Sequence, residues 1–286
     1  MKVFVTGGSG FAGGVVVRRL IAEGHEVMAL ARSESSVQRV RAAGAEPVPG
    51  DLTDLGQDGS PAPSWVVKLR EGDAVVHVAA HMEFWGPDSL FERANHVPTV
   101  ALHAASVAAG VRRFVLISAA SVSTGSQRRP VVDESTPEGR PNVAYSRVKL
   151  ATERALLQAS GGNTELVVLR PPFIWGRGMA AINDMAEVAE AGRFAWIDHG
   201  RHIADFVHVE NLAAATPPRP HAGPPRWGLL RDGRYADAHP GLPHPLAGDP
   251  RRGRVQEPQR PWRWRCPLRR WWTVRPACSG ASRRRG

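Results

Sequence analysis

The chain has 286 residues, long enough for one large or two small packed domains, and 42% of them are hydrophobic against 22% charged. Its formal charge of +10 is unevenly placed: residues 216–286 hold 16 of the 37 basic residues, all Arg, and only 4 of the 27 acidic ones, which leaves residues 1–215 close to neutral. A near-neutral body argues against nucleic acid as the main partner, and because Cys266 and Cys278 are the only cysteines, a disulfide framework or cysteine zinc site is excluded from the first 215 residues.

"MKVFVTGGSGFAGGVVVRRLIAEGHEVMALAR" predicts a strand at about 2–6, a glycine turn, a helix with Val15, Val16, Leu20 and Ile21 on its apolar side, and a strand at about 26–31. A short strand in "EPVPGDL", a buried one in "DAVVHVAA", a helix in "HVPTVALHAASVAAG", a strand in "RRFVLISAA" and a long helix in "YSRVKLATERALLQAS" follow. Strands alternating with helices imply a parallel sheet covered on both faces. "TELVVLRPPFIWG" adds a strand and a Pro-marked turn, and residues 181–215 predict a helix, a short strand pair and the start of a further helix. "MKVFVT" is short for a signal peptide and no apolar run reaches the length of a membrane span, so a cytoplasmic location without a membrane partner is expected.

The expected fold is an α/β, doubly wound parallel-sheet Rossmann fold. Residues 1–168 would form the dinucleotide-binding domain, 169–215 the start of a small, incomplete C-terminal substrate domain, and 216–286 a separate tail.

Chemistry enters first at "TGGSGFAGG". Gly7, Gly10 and Gly13 stand between a predicted strand and a predicted helix, where glycine lets backbone approach a pyrophosphate and the helix N-terminus offers free N–H groups. The second strand ends at Arg32, whose guanidinium suits the 2′-phosphate of NADP better than the bare ribose of NAD, although NAD stays possible. Tyr145 and Lys149 lie four apart on one helical face, so that an ammonium could lower the pKa of a phenol and make it a proton donor to a carbonyl. His77 and His81 straddle a strand end, which is a poor metal pair, and no metal is expected.

Together these residues resemble the extended branch of the short-chain dehydrogenase/reductase superfamily, the NAD(P)-dependent epimerases, dehydratases and hydroxysteroid or flavonol-type reductases. The likeness runs through residues 1–215 and includes "TGGSGFAG" with Phe11, "GDL" with Asp51 and Leu52, "HVAA" with Ala79 and Ala80, Asn95 in "RANHVPT", "YSRVK", "LRPPFIWG" and "DFVHVEN". The resemblance implies that Asp51 and Leu52 contact adenine, that Ala79 and Ala80 line the cofactor, that Pro171 to Ile174 border the nicotinamide, and that Asn95 belongs to the cofactor site. It implies Tyr145 as catalytic acid–base and Lys149 as the residue that holds the nicotinamide ribose. The family's usual Ser or Thr after the fifth strand is replaced by Ala119; Ser118 is the expected substitute, with Ser121 as the other flanking hydroxyl. Phe84 and Trp85 would flank the nicotinamide and favour a bulky apolar carbonyl or alcohol substrate, or else serve packing. A homodimer is common in the family. A sugar-nucleotide epimerase or dehydratase, or a non-catalytic NADP(H)-binding regulator, would use the same binding residues.

The tail reads differently. Residues 216–286 lack Lys, Asn, Ile, Phe and Met and carry 13 of the 24 prolines and 5 of the 9 tryptophans, as GC-rich DNA does when read out of frame. Codons permitted for Arg226 to Tyr235 read GGGYFVTDG one base later, and the preceding stretch allows a continued apolar helix. A one-base insertion near codon 216 is therefore expected, with a disordered tail as its product; a basic, Trp-rich arm for single-stranded nucleic acid is the competing and weaker reading.

Overall fold

The computed structural model describes residues 1–56, 61–83, 85–124, 136–159, 163–195 and 205–216, together with strand backbone at 229–231 and 234–235. All of these belong to a compact unit, Met1–His239. Strand β1 (Lys2–Thr6) leads through the glycine turn into helix α1 (Phe11–Ala22), and Gly24, at φ +81°, turns the chain back into β2 (Glu26–Ala31). Helix α2 (Glu34–Ala42) starts where the Ser33 hydroxyl accepts a bond from the Ser36 amide, and β3 (Glu46–Pro49) follows it. Short 3₁₀ segments at Leu52–Asp54 and Ser64–Glu71 precede β4 (Ala74–His77). Helix α3 (Asp88–Phe91) passes through a π-helical turn at Glu92–His96 into α4 (Val97–Ala108). The chain continues as β5 (Arg113–Ile117), α5 (Ser121–Thr124), α6 (Ala144–Ala159), β6 (Glu165–Leu169), β7 (Phe173–Trp175), α7 (Ala180–Glu190), β8 (Phe206–His208), α8 (Val209–Ala214), β9 (Leu229–Arg231) and β10 (Arg234–Tyr235).

The main sheet runs β3-β2-β1-β4-β5-β6 with every neighbouring pair parallel, and β9 and β10 extend it antiparallel beyond β6. Strand β1 is central and feeds both layers. Val3 and Val5 pack with Val16 and Leu20 of α1, Val40 of α2 and Leu212 of α8, whereas Phe4 packs with Leu102 of α4, Leu156 of α6 and Trp65. Alternate side chains leave a strand on opposite faces, so a run that is apolar at every position belongs in a sheet covered on both sides. Pro47 and Pro49 fall on β3, at the sheet edge, where a strand tolerates missing N–H groups. The doubly wound Rossmann fold is thus present, and its strand order reverses between β1 and β4.

The expected strand pair within 181–215 takes a different form. Strand β8 pairs in parallel with β7, upstream of α7, and residues 196–204 lie outside the described residues. Val209, Leu212 and Ala213 of α8 join the layer beneath α1. The expected tail lies outside the described residues from 217 onward, apart from the backbone of β9 and β10. Among the described residues no helix is long and apolar enough to cross a membrane.

Candidate active site

The turn after β1 is made by glycines with different reasons to be glycine. Gly7 has φ +75°, and a Cβ there would stand 2.6 Å from the Ala79 amide nitrogen. At Gly13 a Cβ would stand 2.0 Å from the Gly7 carbonyl oxygen. Both are required by the fold, because α1 sits directly on a turn that itself lies on the chain leaving β4. Gly10 is not so constrained. Its φ of −84° and ψ of 175° suit any residue, and a Cβ would meet only the Gly7 oxygen, at 3.3 Å. Helix α1 has no side-chain cap and no acidic residue in its first turn, so its positive end is left uncompensated beside an open backbone, as a pyrophosphate requires. The residues present therefore fit a dinucleotide. Phe11 and Ile174, both half-buried, pack against the apolar layer that holds Val16 and Leu20.

Arg32 is exposed immediately after β2. Asp51 Oδ1 accepts bonds from the Thr53 amide and hydroxyl, each at 2.9 Å, while Leu52 packs on the layer that holds Phe4. Beyond β4, Ala79 is half-buried and Ala80 exposed, and the Ala79 amide donates to Thr6 Oγ1 at 3.4 Å. Asn95 acts on the same loop: its Oδ1 accepts from the His81 amide at 2.7 Å and its Nδ2 donates to the His81 carbonyl at 3.0 Å. His77 shares hydrogen bonds with Thr6 Oγ1 at 2.6 Å and Thr99 Oγ1 at 2.7 Å, which engages both ring nitrogens and stitches β1, β4 and α4 together. Burial, reinforced by the Lys149 charge, pushes His77 down to about 3, so it stays neutral.

Helix α6 carries Tyr145 and Lys149. The Tyr145 ring meets Phe91 edge-on at 6.1 Å, and Lys149 Nζ lies 5.8 Å from the centre of that ring while donating to the Ile117 carbonyl at 3.0 Å. The expected depression of the Tyr145 pKa is not what this packing produces. Burial pushes the phenol up to about 12 and the Lys149 ammonium down to about 8, against the opposing pull of Glu153. Desolvation acts directly on the phenolate, whereas the ammonium faces a carbonyl and the body of the ring.

Of the hydroxyls flanking Ala119, Ser121 Oγ is bonded to Ser146 Oγ at 2.7 Å, whereas Ser118 Oγ is buried with no hydrogen-bond partner among the described residues. The Ala120 amide donates to the Pro171 carbonyl at 2.9 Å, tying the turn after β5 to the turn after β6. Trp85 is 85% exposed, and Phe84 lies outside the described residues. Two residues near the pair escaped sequence reasoning. Glu153, wholly buried, accepts bonds from Arg170 through Nε at 3.0 Å and Nη2 at 2.5 Å. The signal was present: Tyr145, Lys149 and Glu153 repeat at a spacing of four along one helical face.

The topology and this site define a Rossmann-type dinucleotide-binding domain. A family model for the NAD-dependent epimerase/dehydratase family matches residues 3–216, and the chain belongs to that family, part of the extended short-chain dehydrogenases. It is 36% identical over 218 residues, 74% of this chain and 62% of the relative, to a 4-hydroxy-2-methyl-3-oxo-4-farnesyl-3,4-dihydroquinoline-1-oxide ketoreductase of Stigmatella aurantiaca. To a 2-alkyl-3-oxoalkanoate reductase of Stenotrophomonas maltophilia it is 34% identical over 221 residues, 75% of this chain and 64% of the relative. The chain thus spans less than two thirds of the length of either relative. A crystal structure of UDP-glucose 4-epimerase from Stenotrophomonas maltophila with bound NAD superposes with a TM-score of 0.61 at 25% identity, covering 75% of this chain and 72% of that one.

The glycines separate fold from binding. Gly13→Ala should cost about 3 kcal/mol by forcing backbone apart, whereas Gly10→Ala should leave thermal unfolding nearly unchanged and weaken binding of a reduced nicotinamide dinucleotide roughly tenfold, about 1.4 kcal/mol. Thermal melts and fluorescence titrations with that dinucleotide check both, and equal destabilisation by the two changes would refute the distinction.

Proposed function

We propose that this domain transfers hydride reversibly between NADP(H) and the carbonyl or secondary alcohol carbon of a small molecule with a bulky apolar group. The observation that carries this reading is the Tyr145–Lys149 pair on α6, with Lys149 anchored to the Ile117 carbonyl at the end of β5. The nicotinamide dinucleotide supplies the hydride when bound. In this reading Gly7, Gly10, Gly13 and the start of α1 hold the pyrophosphate, and Arg32 takes the 2′-phosphate. Asp51 and Leu52 border the adenine, Phe11, Ala79, Ala80, Pro171 and Ile174 line the cofactor, Asn95 steadies the loop through His81, and Lys149 holds a ribose hydroxyl.

Tyr145 gives its proton to the substrate oxygen, and Ser118 donates a hydrogen bond to the same oxygen. Ser118 Oγ, buried and uncommitted among the described residues, is the flanking hydroxyl that supports this role. With its phenol pushed up to about 12, Tyr145 carries its proton at neutral pH, as a donor to a carbonyl must. Two relatives named as reductases of ketones with farnesyl or alkyl chains, and the exposed Met82 and Trp85 after β4, support an apolar substrate.

Tyr145→Phe should lower NADPH-dependent reduction of a ketone panel by a factor of roughly a hundred or more while NADPH affinity is kept. A variant that retains its rate eliminates the mechanism, and binding without turnover by the unaltered chain would instead mark a regulator that only senses the cofactor. Arg32→Asp should move the ratio of NADPH to NADH affinities towards NADH, and an unchanged ratio removes Arg32 from the site.

The same reading divides the chain at 168 and 215 and treats residues 216–286 as an out-of-frame product of the missing part of the substrate domain. Its support is that the family match stops at residue 216, where composition changes, and that codons permitted for Leu229 to Arg231, which form β9, read YFV one base later. Sequencing source DNA across codons 205–240 should show one base fewer than the present reading requires. An identical sequence would make the tail authentic.

A further inference from the structure

The buried face of α6 does not end with Lys149. One turn further on, Glu153 is 0% exposed, and its carboxylate is gripped by Arg170, whose Nη1 also donates to Ser123 Oγ of α5 at 2.9 Å. The guanidinium thereby joins three pieces of the site: α6, the short helix that begins with Ser121, and the segment leading to Pro171. Ser121 and Ser146 close the same loop with their own hydrogen bond.

The charges are stacked in order along this face. Lys149 is a cation out of water with one carbonyl acceptor, Ile117. The groups facing it are Tyr145 and Glu153 on its own helix, neutral His77 from β4, and Arg170 behind Glu153 from the end of β6; His96, from the turn before α4, bonds Thr152 at 3.0 Å on the neighbouring face. Glu153 is the sole anion in that set. A buried ammonium beside a neutral imidazole and a phenol sheds its proton readily unless a negative charge opposes it.

We propose that Glu153 is a positioning residue that keeps Lys149 charged at the base of the site, with Arg170 as the clamp that fixes the carboxylate and couples it to the Ser121 turn. The proposal rests on the assignment of Lys149 to the cofactor site for its purpose, but not for its test. Arg170 also moderates the carboxylate: it offsets part of the negative charge that Lys149 feels, so the two partners act on Lys149 in opposite directions.

The chain contains only three lysines, Lys2, Lys68 and Lys149, so nitrogen-15 lysine labelling of the full chain yields side-chain resonances that can be followed against pH without cofactor or substrate, with Lys149→Met to assign the buried one. The unaltered chain should show that resonance titrating near 8. Glu153→Gln should lower the midpoint by about one unit or more, and Glu153→Asp should recover part of it. A loosened site that merely admits water would raise the midpoint instead, so an unchanged or raised value in Glu153→Gln overturns the proposal. If Glu153→Gln does not fold, Arg170→Gln decides: the carboxylate, no longer offset, should raise the midpoint, and an unshifted one overturns the proposal. Loss of the Tyr145 mechanism would appear separately, as turnover retained by Tyr145→Phe, and would leave the titration readable.

Discussion

The close approach of three backbone segments at the switch point governs the rest of the molecule. Gly7 lies against the Ala79 amide and Gly13 against the Gly7 carbonyl, both nearer than any Cβ allows. That contact fixes the start of α1 relative to the ends of β1 and β4 together, where the strand order reverses. A parallel sheet opens a crevice at such a reversal, and a helix end aimed into it attracts an anion without help from side-chain charge. The surface this crevice would offer an anion is therefore largely backbone. Polar side chains such as Asp51, Asn95 and Thr6 hold the surrounding loops, each through bonds to neighbouring backbone or side-chain groups.

The opposite wall depends on charge rather than contact. Lys149 is taken out of water to meet a carbonyl at the end of β5, a placement that lowers its hold on a proton while the same burial strengthens the hold of Tyr145 on its own. The two values are displaced apart, the phenol from 10.0 up to about 12 and the ammonium from 10.5 down to about 8. Both displacements have one cause, burial, which disfavours the charged form of each group.

Much of this was legible in the sequence because it is written in local periodicity. A strand apolar at every position, as in "KVFVT", has to be central in a two-faced sheet, and three glycines between it and a helix have to be a turn. What was not legible is long-range. That Asn95 would spend its amide on His81, that His77 would be bracketed by Thr6 and Thr99, and that Glu153 would face Arg170 all depend on contacts between separate elements. The pKa of Tyr145 was misjudged for the same reason: the four-residue spacing shows which charge is near, but desolvation is set by every element around it.

The surface adjoining the site has an apolar excess that the described residues do not cover. Phe173 and Phe206 meet edge-on at 5.5 Å across the β7–β8 pair, yet they are 40% and 60% exposed, and Ile182 and Met185 of α7 are exposed as well. Aromatic residues placed next to one another on two paired strands ordinarily lie beneath something, because exposed apolar patches persist where another surface meets them. This patch belongs to the segment after β6, and the family match continues through it to residue 216 before stopping. Past that residue the composition turns to Arg, Pro and Trp, with no apolar period that could form a covering layer. The proposed out-of-frame reading of the tail would account for both the uncovered face and the change of composition.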